Sequence, residues 1–126
     1  MITEQFYYDI SKRYGKVASW AVWVKAGNKP KSNISDMGIF DVRKNPSTLE
    51  ILRTDVVMVA LNFSRDVEMK DPFLNFHDSN PYGQDYKIRF AFEETDFYGA
   101  YMIDIIKDFP TVSSKDVLKF LKKQSA

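Results

Sequence analysis

Asn62 and Asp104 are polar residues at the end of one apolar run and inside another, and each could take part in catalysis or ligand binding. Asn62 comes directly after a run of six apolar residues, and its amide offers both a donor and an acceptor. The structural alternative is an Asx-turn that closes the strand. Asp104 lies inside a second apolar stretch, where a carboxylate must be hydrogen-bonded or bind a ligand, because an unpaired buried charge is costly. Its structural partner would be Lys107, Arg89 or a backbone amide.

His77 is the single histidine, and it lies beside Phe73 and Phe76. Its imidazole titrates near neutrality, so it could act as a general acid or base. The alternative is a local hydrogen-bonding role. One histidine and no cysteine exclude an all-histidine or thiolate metal site within one chain, and we predict no metal and no cofactor. A hard cation held by loop carboxylates is the remaining alternative; the loop carboxylates are Asp66, Glu68, Asp71, Asp78 and Asp85.

Several motifs that carry common chemistries are missing. The sequence has no G-x-x-x-x-G-K, no G-x-G-x-x-G, no G-x-S-x-G and no H-E-x-x-H. Phosphate-loop, dinucleotide-binding, serine-hydrolase and zinc-protease functions therefore lack the residues that they need.

Capping residues and apolar spacing predict the elements that position these residues. In chain order, they are a helix capped by Thr3 and ended by Gly15, a strand over 17–24, an irregular segment over 25–46, a short helix from Ser47 through Leu52, a strand over 56–61, a long loop over 62–83, a helix over 85–92, a strand over 100–106, and a helix opened by Ser113 and Ser114. Because strand 56–61 is continuously apolar, it is predicted to be central and buried on both faces.

This order predicts one α/β domain over 1–126. An N-terminal helix, strand and irregular segment fill 1–46, and a βαβα core fills 47–126. Such a core predicts a parallel sheet with right-handed crossovers. Ligands bind beyond the carboxyl ends of such strands, so Asn62 and the chain around Asp104 become the candidate site.

Composition limits the class of protein. The chain has 126 residues, and 18 Lys+Arg against 17 Asp+Glu leave a net charge of +1, so there is no global field that would attract nucleic acid. No apolar run approaches the roughly 20 residues that span a membrane. The absence of cysteine suits a reducing compartment, and we predict a cytoplasmic protein with no membrane contact.

Two stretches resemble motifs of the uracil-DNA glycosylase superfamily. The sequence VMVALNFS, which begins at Val57, resembles the first motif, in which a hydrophobic strand leads to Gly, an aliphatic residue, Asn, Pro and Gly. The stretch 99–107 is similar to the next strand of that superfamily, which ends in an Asn that reads the base edge. The resemblance covers residues 47–123. It implies a three-layer α/β/α fold, base flipping, and hydrolysis of the N-glycosidic bond without a metal or cofactor.

The resemblance also implies roles for individual residues. Asn62 would position the attacking water, Phe73 or Phe76 would stack on the base, and Asp104 would face its Watson–Crick edge. The candidate catalytic residues are Asn62 and His77, and the candidate base- or ligand-binding residues are Phe63, Ser64, Phe73, Phe76 and Asp104.

The sequence departs from the superfamily pattern in three ways. Ala60 and Phe63 stand in place of the Gly and Pro, and Asp104 stands in place of the Asn. An ionised Asp104 only accepts hydrogen bonds, which favours a base that presents N–H donors. No histidine follows His77, so we expect an incomplete catalytic set and weak or no hydrolysis.

The expected function is therefore that of a glycosylase-like domain that binds DNA or a nucleobase or hydrolyses an N-glycosidic bond. The alternatives are a non-enzymatic α/β module that binds a ligand or a protein, and a truncated paralogue with an incomplete sheet. Two or three strands leave an exposed sheet edge, which proteins usually cover. We therefore expect a homodimer or a further C-terminal segment.

Overall fold

A computed structural model describes residues 1–62, 71–77 and 85–106 and five separate positions near the C-terminus. For Asn62 and Ile106 it describes the backbone. In this part of the chain the elements are α1 (Glu4–Tyr14), β1 (Ala18–Trp20), a 3₁₀ turn (Gly38–Phe40), α2 (Thr48–Ile51), β2 (Val57–Asn62), α3 (Asp85–Phe92) and β3 (Tyr101–Ile106). Helices and one small mixed sheet make this an α/β fold.

The described sheet has the strand order β1-β3-β2. β2 and β3 pair in parallel, with Ala60 opposite Asp104, and α3 connects them. This pairing confirms the predicted parallel unit. The sheet as a whole is mixed rather than parallel, because β1, which lies outside the predicted βαβα core, runs antiparallel to β3, with Trp20 opposite Tyr101.

β2 lies at the edge of this sheet and β3 at its centre, which corrects the prediction for strand 56–61. Val57, Val59 and Leu61 are 51%, 53% and 42% exposed, whereas Met58 and Ala60 are half-buried. A continuous apolar run suggested burial on both faces. Only one face of β2 is covered by described residues, so that prediction is wrong.

β1 is shorter than the predicted strand 17–24, but the residues after it are still buried. Ala21 follows β1 and donates its N–H to the carbonyl of Ala100, the residue just before β3, at 2.8 Å. The Tyr98 hydroxyl then accepts from the Trp23 N–H at 3.0 Å and donates to the Trp23 carbonyl at 3.1 Å. The Tyr98 side chain therefore makes the two hydrogen bonds with the Trp23 backbone that a neighbouring strand would otherwise make. Burial raises the pKa of Tyr98, which keeps this hydroxyl protonated.

Two apolar clusters pack against the sheet. One joins Trp20 to α1 through Tyr7 and also contains Phe73. The other contains Met102, and residues of α3 pack against it. Trp20 and Met102 occupy alternate faces of the sheet, because successive residues of a strand point to opposite sides. The helices α1 and α3 therefore contact different faces.

The predicted helix boundaries near the N-terminus are confirmed. The Thr3 hydroxyl accepts from the N–H of Phe6 at 3.1 Å, and Gly15 forms the C-cap of α1. The short helix after Ser47 is also present, but the Ser47 side chain makes no capping hydrogen bond. Thr48 is buried and donates to the Ile39 carbonyl at 2.9 Å, which fastens α2 to the 3₁₀ turn.

Some predictions fall outside the described residues. Most of the long loop over 62–83 and most of the helix after Ser114 belong to this group. The five described positions of that helix, Lys115, Leu118, Lys119, Lys122 and Lys123, are helical and exposed. None of the helices in the described ranges has the length and apolar content that crossing a bilayer requires.

Candidate functional site

The carboxyl ends of β2 and β3 form the candidate site. Ala60 is opposite Asp104 and Asn62 is opposite Ile106, so strand alternation assigns Asn62 and Asp104 to the same face. A rise of roughly 3.3 Å per residue and a strand spacing of roughly 4.8 Å place their Cα atoms about 8 Å apart. The register therefore brings together the two polar residues that the sequence singled out.

Asp104 is fully buried and is held by a residue that the sequence did not indicate. The Asn75 side-chain nitrogen donates to Asp104 Oδ2 at 2.7 Å, and Asn75 is itself 6% exposed. Because a carboxylate only accepts, the amide must present its nitrogen to Asp104. The amide oxygen of Asn75 therefore points away from the carboxylate. Asp104 thus fixes the orientation of a donor–acceptor group at the end of the sheet.

The segment 71–77 that carries Asn75 is fastened at several points. Ser19 donates its hydroxyl to the Phe73 carbonyl at 2.7 Å, and Phe73 donates its N–H to the Gly15 carbonyl at 2.7 Å. A Cβ on Gly15 would lie 2.6 Å from the Pro72 Cβ, so glycine permits this close approach. Phe73 and Phe76 both adopt positive φ, 67° and 69°, which bulky residues rarely do. The surrounding contacts hold the segment in a strained shape.

The two candidate stacking residues differ in burial. Phe73 has no exposed surface, and its ring centroid lies 5.4 Å from Tyr7, 6.2 Å from Trp20 and 5.7 Å from Phe40. It is therefore a core residue without a free ring face for a base. Phe76 is half-buried and packs against the cluster of Met102, which shares a face of the sheet with Asp104. Of the two, only Phe76 retains exposed surface.

His77 lies among aromatic residues rather than at the strand ends. It is 3% exposed, its Nε2 is 3.2 Å from the Trp20 carbonyl oxygen, and its ring centroid is 5.0 Å from both Trp23 and Phe40. Trp20 pairs with the first residue of β3, three residues before Asp104, which is about 10 Å along the strand. The structure therefore does not bring His77 to the site of Asn62.

Arg89, a candidate partner of Asp104 in the sequence, is engaged elsewhere. It is 1% exposed, and its guanidinium donates to the carbonyls of Val24 at 3.2 Å and Pro30 at 2.5 Å. Glu93, one helical turn further on, lies 3.9 Å from its Nε. Arg89 thus joins α3 to the irregular segment. An arginine within a helix that carries other charges gives no sequence signal for this role.

The remaining predicted site residues, Phe63 and Ser64, lie outside the described residues, as do most of the loop carboxylates named above. Among the described residues, no group of three or more acidic, histidine or cysteine side chains could hold a metal ion.

A cleft lies at the opposite end of β3 from the candidate site. Trp23, Lys25 and Tyr98 line a cleft of about 340 Å³ there, together with Glu93 and Glu94. Since Tyr98 precedes β3 whereas Asp104 lies near its end, this cleft is separate from the candidate site.

Comparison of the chain with protein-family models, with curated proteins and with solved structures finds no match.

Proposed function

We propose that the chain is a uracil-DNA glycosylase-like α/β domain that binds a nucleobase, free or in DNA, at the carboxyl ends of β2 and β3. One observation carries the proposal: the parallel β2–α3–β3 unit assigns Asn62 and Asp104 to one face at the same edge of the sheet. Ligands of open α/β sheets bind at this edge. A three-layer α/β/α arrangement, with α1 and α3 as the outer layers, is part of the same proposal.

The residues around this edge suggest how a base is recognised. In the proposal, Asn62 contacts the ligand through its amide, and the half-buried Phe76 stacks on the base ring. Asn75 accepts an N–H of the base through its amide oxygen. Asp104, which holds the Asn75 nitrogen at 2.7 Å, is a positioning residue that sets this polarity.

This polarity predicts the class of base. An acceptor oriented by a carboxylate pairs with a donor, and the exocyclic amino groups of adenine and cytosine are such donors. Uracil presents carbonyl oxygens at the matching positions and is expected to bind less well. Asp104 in place of the superfamily Asn is thus expected to change which base is preferred.

Of the two activities proposed for this site, hydrolysis is less favoured than nucleobase binding. Asn62 would position a water for attack on the N-glycosidic bond, but the leaving base also needs stabilisation. His77, the one imidazole, is 3% exposed beside the Trp20 carbonyl, about 10 Å along β3 from Asp104. This observation favours the second candidate function, a non-enzymatic nucleobase-binding module with the same site.

Two assays separate binding from hydrolysis. Isothermal titration calorimetry with free adenine, cytosine and uracil measures binding, with Asn62→Ala as the test variant. Oligonucleotides that carry uracil, hypoxanthine or a mismatch are incubated with the protein, and alkali then reveals abasic sites. Asn28→Ala removes an exposed amide in the irregular segment and is the matched control.

We expect wild type and Asn28→Ala to bind adenine or cytosine more tightly than uracil, and Asn62→Ala to lose binding at least tenfold, which corresponds to about 1.4 kcal/mol. Abasic sites formed by wild type above the level of Asn62→Ala establish the glycosylase. Base binding without abasic sites establishes the binding module. If no base and no oligonucleotide binds, the proposed function is wrong.

A further inference from the structure

The proposed nucleobase site depends on a segment that is held in an uncommon backbone shape. Asn75 and Phe76, which supply an amide and an aromatic ring in the proposal, both belong to the segment 71–77. Phe73 and Phe76 have positive φ, 67° and 69°, and a bulky residue keeps this conformation only when its surroundings enforce it. The position of Asn75, between these two residues, is therefore determined by contacts with the rest of the fold.

The strand β1 and the turn before it make contacts that fix Phe73. Phe73 donates its N–H to the Gly15 carbonyl at 2.7 Å, and its own carbonyl accepts from the Ser19 hydroxyl at 2.7 Å. Both backbone polar groups of Phe73 are therefore bonded to the chain around β1. These two bonds hold the peptide groups on either side of Phe73, and so stabilise its positive φ against relaxation.

Ser19 is a buried polar residue in a strand whose other residues are apolar. It has no exposed surface, and a buried hydroxyl is unfavourable without a hydrogen-bond partner, which the Phe73 carbonyl supplies. The register pairs Ser19 with Met102, so strand alternation assigns Ser19 and Asp104 to the same face of the sheet. Asp104 lies two residues further along β3, which is about 7 Å. The two side chains that bond the segment 71–77 therefore project from one face.

Asn75 is held at its side chain and through its backbone. Asp104 Oδ2 accepts from the Asn75 side-chain nitrogen at 2.7 Å, which orients the amide. Ser19 bonds the Phe73 carbonyl, two residues earlier in the chain, and so fixes the backbone from which Asn75 projects. Among the described residues, no donor is hydrogen-bonded to the Asn75 amide oxygen. This acceptor is therefore left for a ligand.

Removal of the Ser19 hydroxyl has a consequence at Asn75. Without its partner, the buried Phe73 carbonyl and the positive φ of that residue are both unfavourable, so the segment relaxes toward negative φ and the residues that follow turn with it. Asn75 then no longer meets Asp104 in one fixed geometry. Its amide can present either the oxygen or the nitrogen to a ligand. Uracil, which offers carbonyl oxygens, thereby gains a donor.

We propose, on the basis of the proposed function, that Ser19 is a positioning residue that sets the base preference of the site. Its hydroxyl holds the Phe73 carbonyl so that Asn75 presents its amide oxygen before a ligand arrives. Because the segment is preorganised, a base with a matching N–H binds without ordering it, and a base without one gains nothing by rearrangement. Ser19 thus favours adenine or cytosine over uracil without touching the base.

Ser19→Ala tests this role, with Thr48→Val as the matched control. Thr48 is also fully buried, and its hydroxyl donates to a backbone carbonyl, that of Ile39, at 2.9 Å. That bond fastens α2 rather than the segment 71–77. Each variant therefore removes one buried bond from a hydroxyl to a carbonyl, and a purely structural effect would be alike in the two. Base preference should change in Ser19→Ala alone.

Titration calorimetry of the full chain with free adenine, cytosine and uracil measures the preference of each variant. We expect wild type and Thr48→Val to bind adenine or cytosine about tenfold more tightly than uracil. In Ser19→Ala this ratio should fall to about twofold or less. If Ser19→Ala keeps the ratio of wild type, the role of Ser19 is wrong and the proposed function stands. If wild type binds no base, the proposed function is wrong, and the role of Ser19 with it.

The Asn75 side-chain amide gives a second readout that needs no ligand. In ¹⁵N spectra of the free protein, a hydrogen bond to a carboxylate moves the bonded amide proton downfield. We expect this shift in wild type and Thr48→Val and its loss in Ser19→Ala, whereas an unchanged Asn75 signal in Ser19→Ala overturns the proposal. Ser19→Cys keeps a side chain of similar size with a weaker donor, so an intermediate base preference is expected. It serves in both measurements if the alanine variant does not fold.

Discussion

The contact between Asn75 and Asp104 allows a quantitative prediction for the variant Asn75→Ala. The Asn75 nitrogen donates to Asp104 Oδ2 at 2.7 Å, and both residues lie below 10% exposure, at 6% and 0%. The same nitrogen is 3.4 Å from the Val17 carbonyl oxygen, a distance at the limit of a hydrogen bond. The contact with Asp104 therefore carries nearly all of the expected effect.

The expected loss follows from the charge on the acceptor. A hydrogen bond to a charged group contributes about 1.5–3 kcal/mol, and truncation leaves Asp104 with one partner fewer in a buried site. We expect Asn75→Ala to lower the free energy of unfolding by about 2–3 kcal/mol. With a urea dependence of roughly 2 kcal/mol per molar for a domain of this size, the midpoint shifts down by about 1 M.

Urea unfolding monitored by tryptophan fluorescence measures this shift, because Trp20 and Trp23 are 2% and 4% exposed and report loss of the core. Gln5→Ala is the matched control. It removes an amide that donates to the Asp9 carboxylate at 3.0 Å on the exposed surface of α1. Such an exposed pair contributes about 0.2–0.5 kcal/mol, so the control should hardly move the midpoint.

Variants at Asp104 test the same contact from the other side. Asp104→Asn keeps an acceptor for Asn75 but removes the charge, so a bond of roughly half the strength is expected. A double-mutant cycle measures the coupling directly. The coupling energy between Asn75→Ala and Asp104→Ala should be about 1–3 kcal/mol. If Asn75→Ala shifts the midpoint no more than Gln5→Ala, or if the coupling energy is zero, Asp104 does not hold the segment 71–77.

Three further variants test other contacts. Gly99→Ala should destabilise the fold by more than the cost of backbone strain alone, which is about 1–3 kcal/mol. Gly99 has φ of 90°, and a Cβ there would also clash with the Ile51 carbonyl oxygen. Calorimetry measures the loss. Burial raises the pKa of Tyr7, so stability falls as pH rises above about 10, where the unfolded chain loses this proton first. Tyr7→Phe should lose about 0.5–1.5 kcal/mol at neutral pH, from the bond to the Phe40 carbonyl, but show a shallower alkaline loss in thermal scans. Arg89→Met removes the donors to the carbonyls of Val24, just before the irregular segment, and of Pro30 within it, and trypsin should then cut that segment faster.

The elements that local chemistry determines were predictable from the sequence. Thr3 and Gly15 cap the two ends of α1 as expected, and the apolar spacing over 85–92 corresponds to α3. These signals depend on residues within one or two helical turns. The strands were also found, but their places in the sheet were not. A run such as 56–61 is apolar in a central strand and in an edge strand alike, so burial depends on which partner covers each face.

The candidate site was predictable only in part, for a similar reason. Asn62 and Asp104 were visible because polar residues interrupt or end apolar runs. Asn75 was not, because nothing in its neighbourhood in sequence indicates a contact 29 residues away. His77 was named as a candidate catalytic residue because an imidazole can act as a general acid or base, with a local hydrogen-bonding role as the alternative. Its position among Trp23 and Phe40 is a result of tertiary packing that no local pattern encodes.

In the proposed function, a nucleobase binds at the carboxyl ends of β2 and β3. A titration of ¹⁵N-labelled protein with free adenine or cytosine locates the ligand, because backbone amides near it change their chemical shifts. We predict saturable shifts centred on Asn62, Asn75 and Asp104. Shifts centred on the cleft of Trp23 and Tyr98 at the opposite end of β3, or no saturable shift at all, would show that no nucleobase binds at the proposed site.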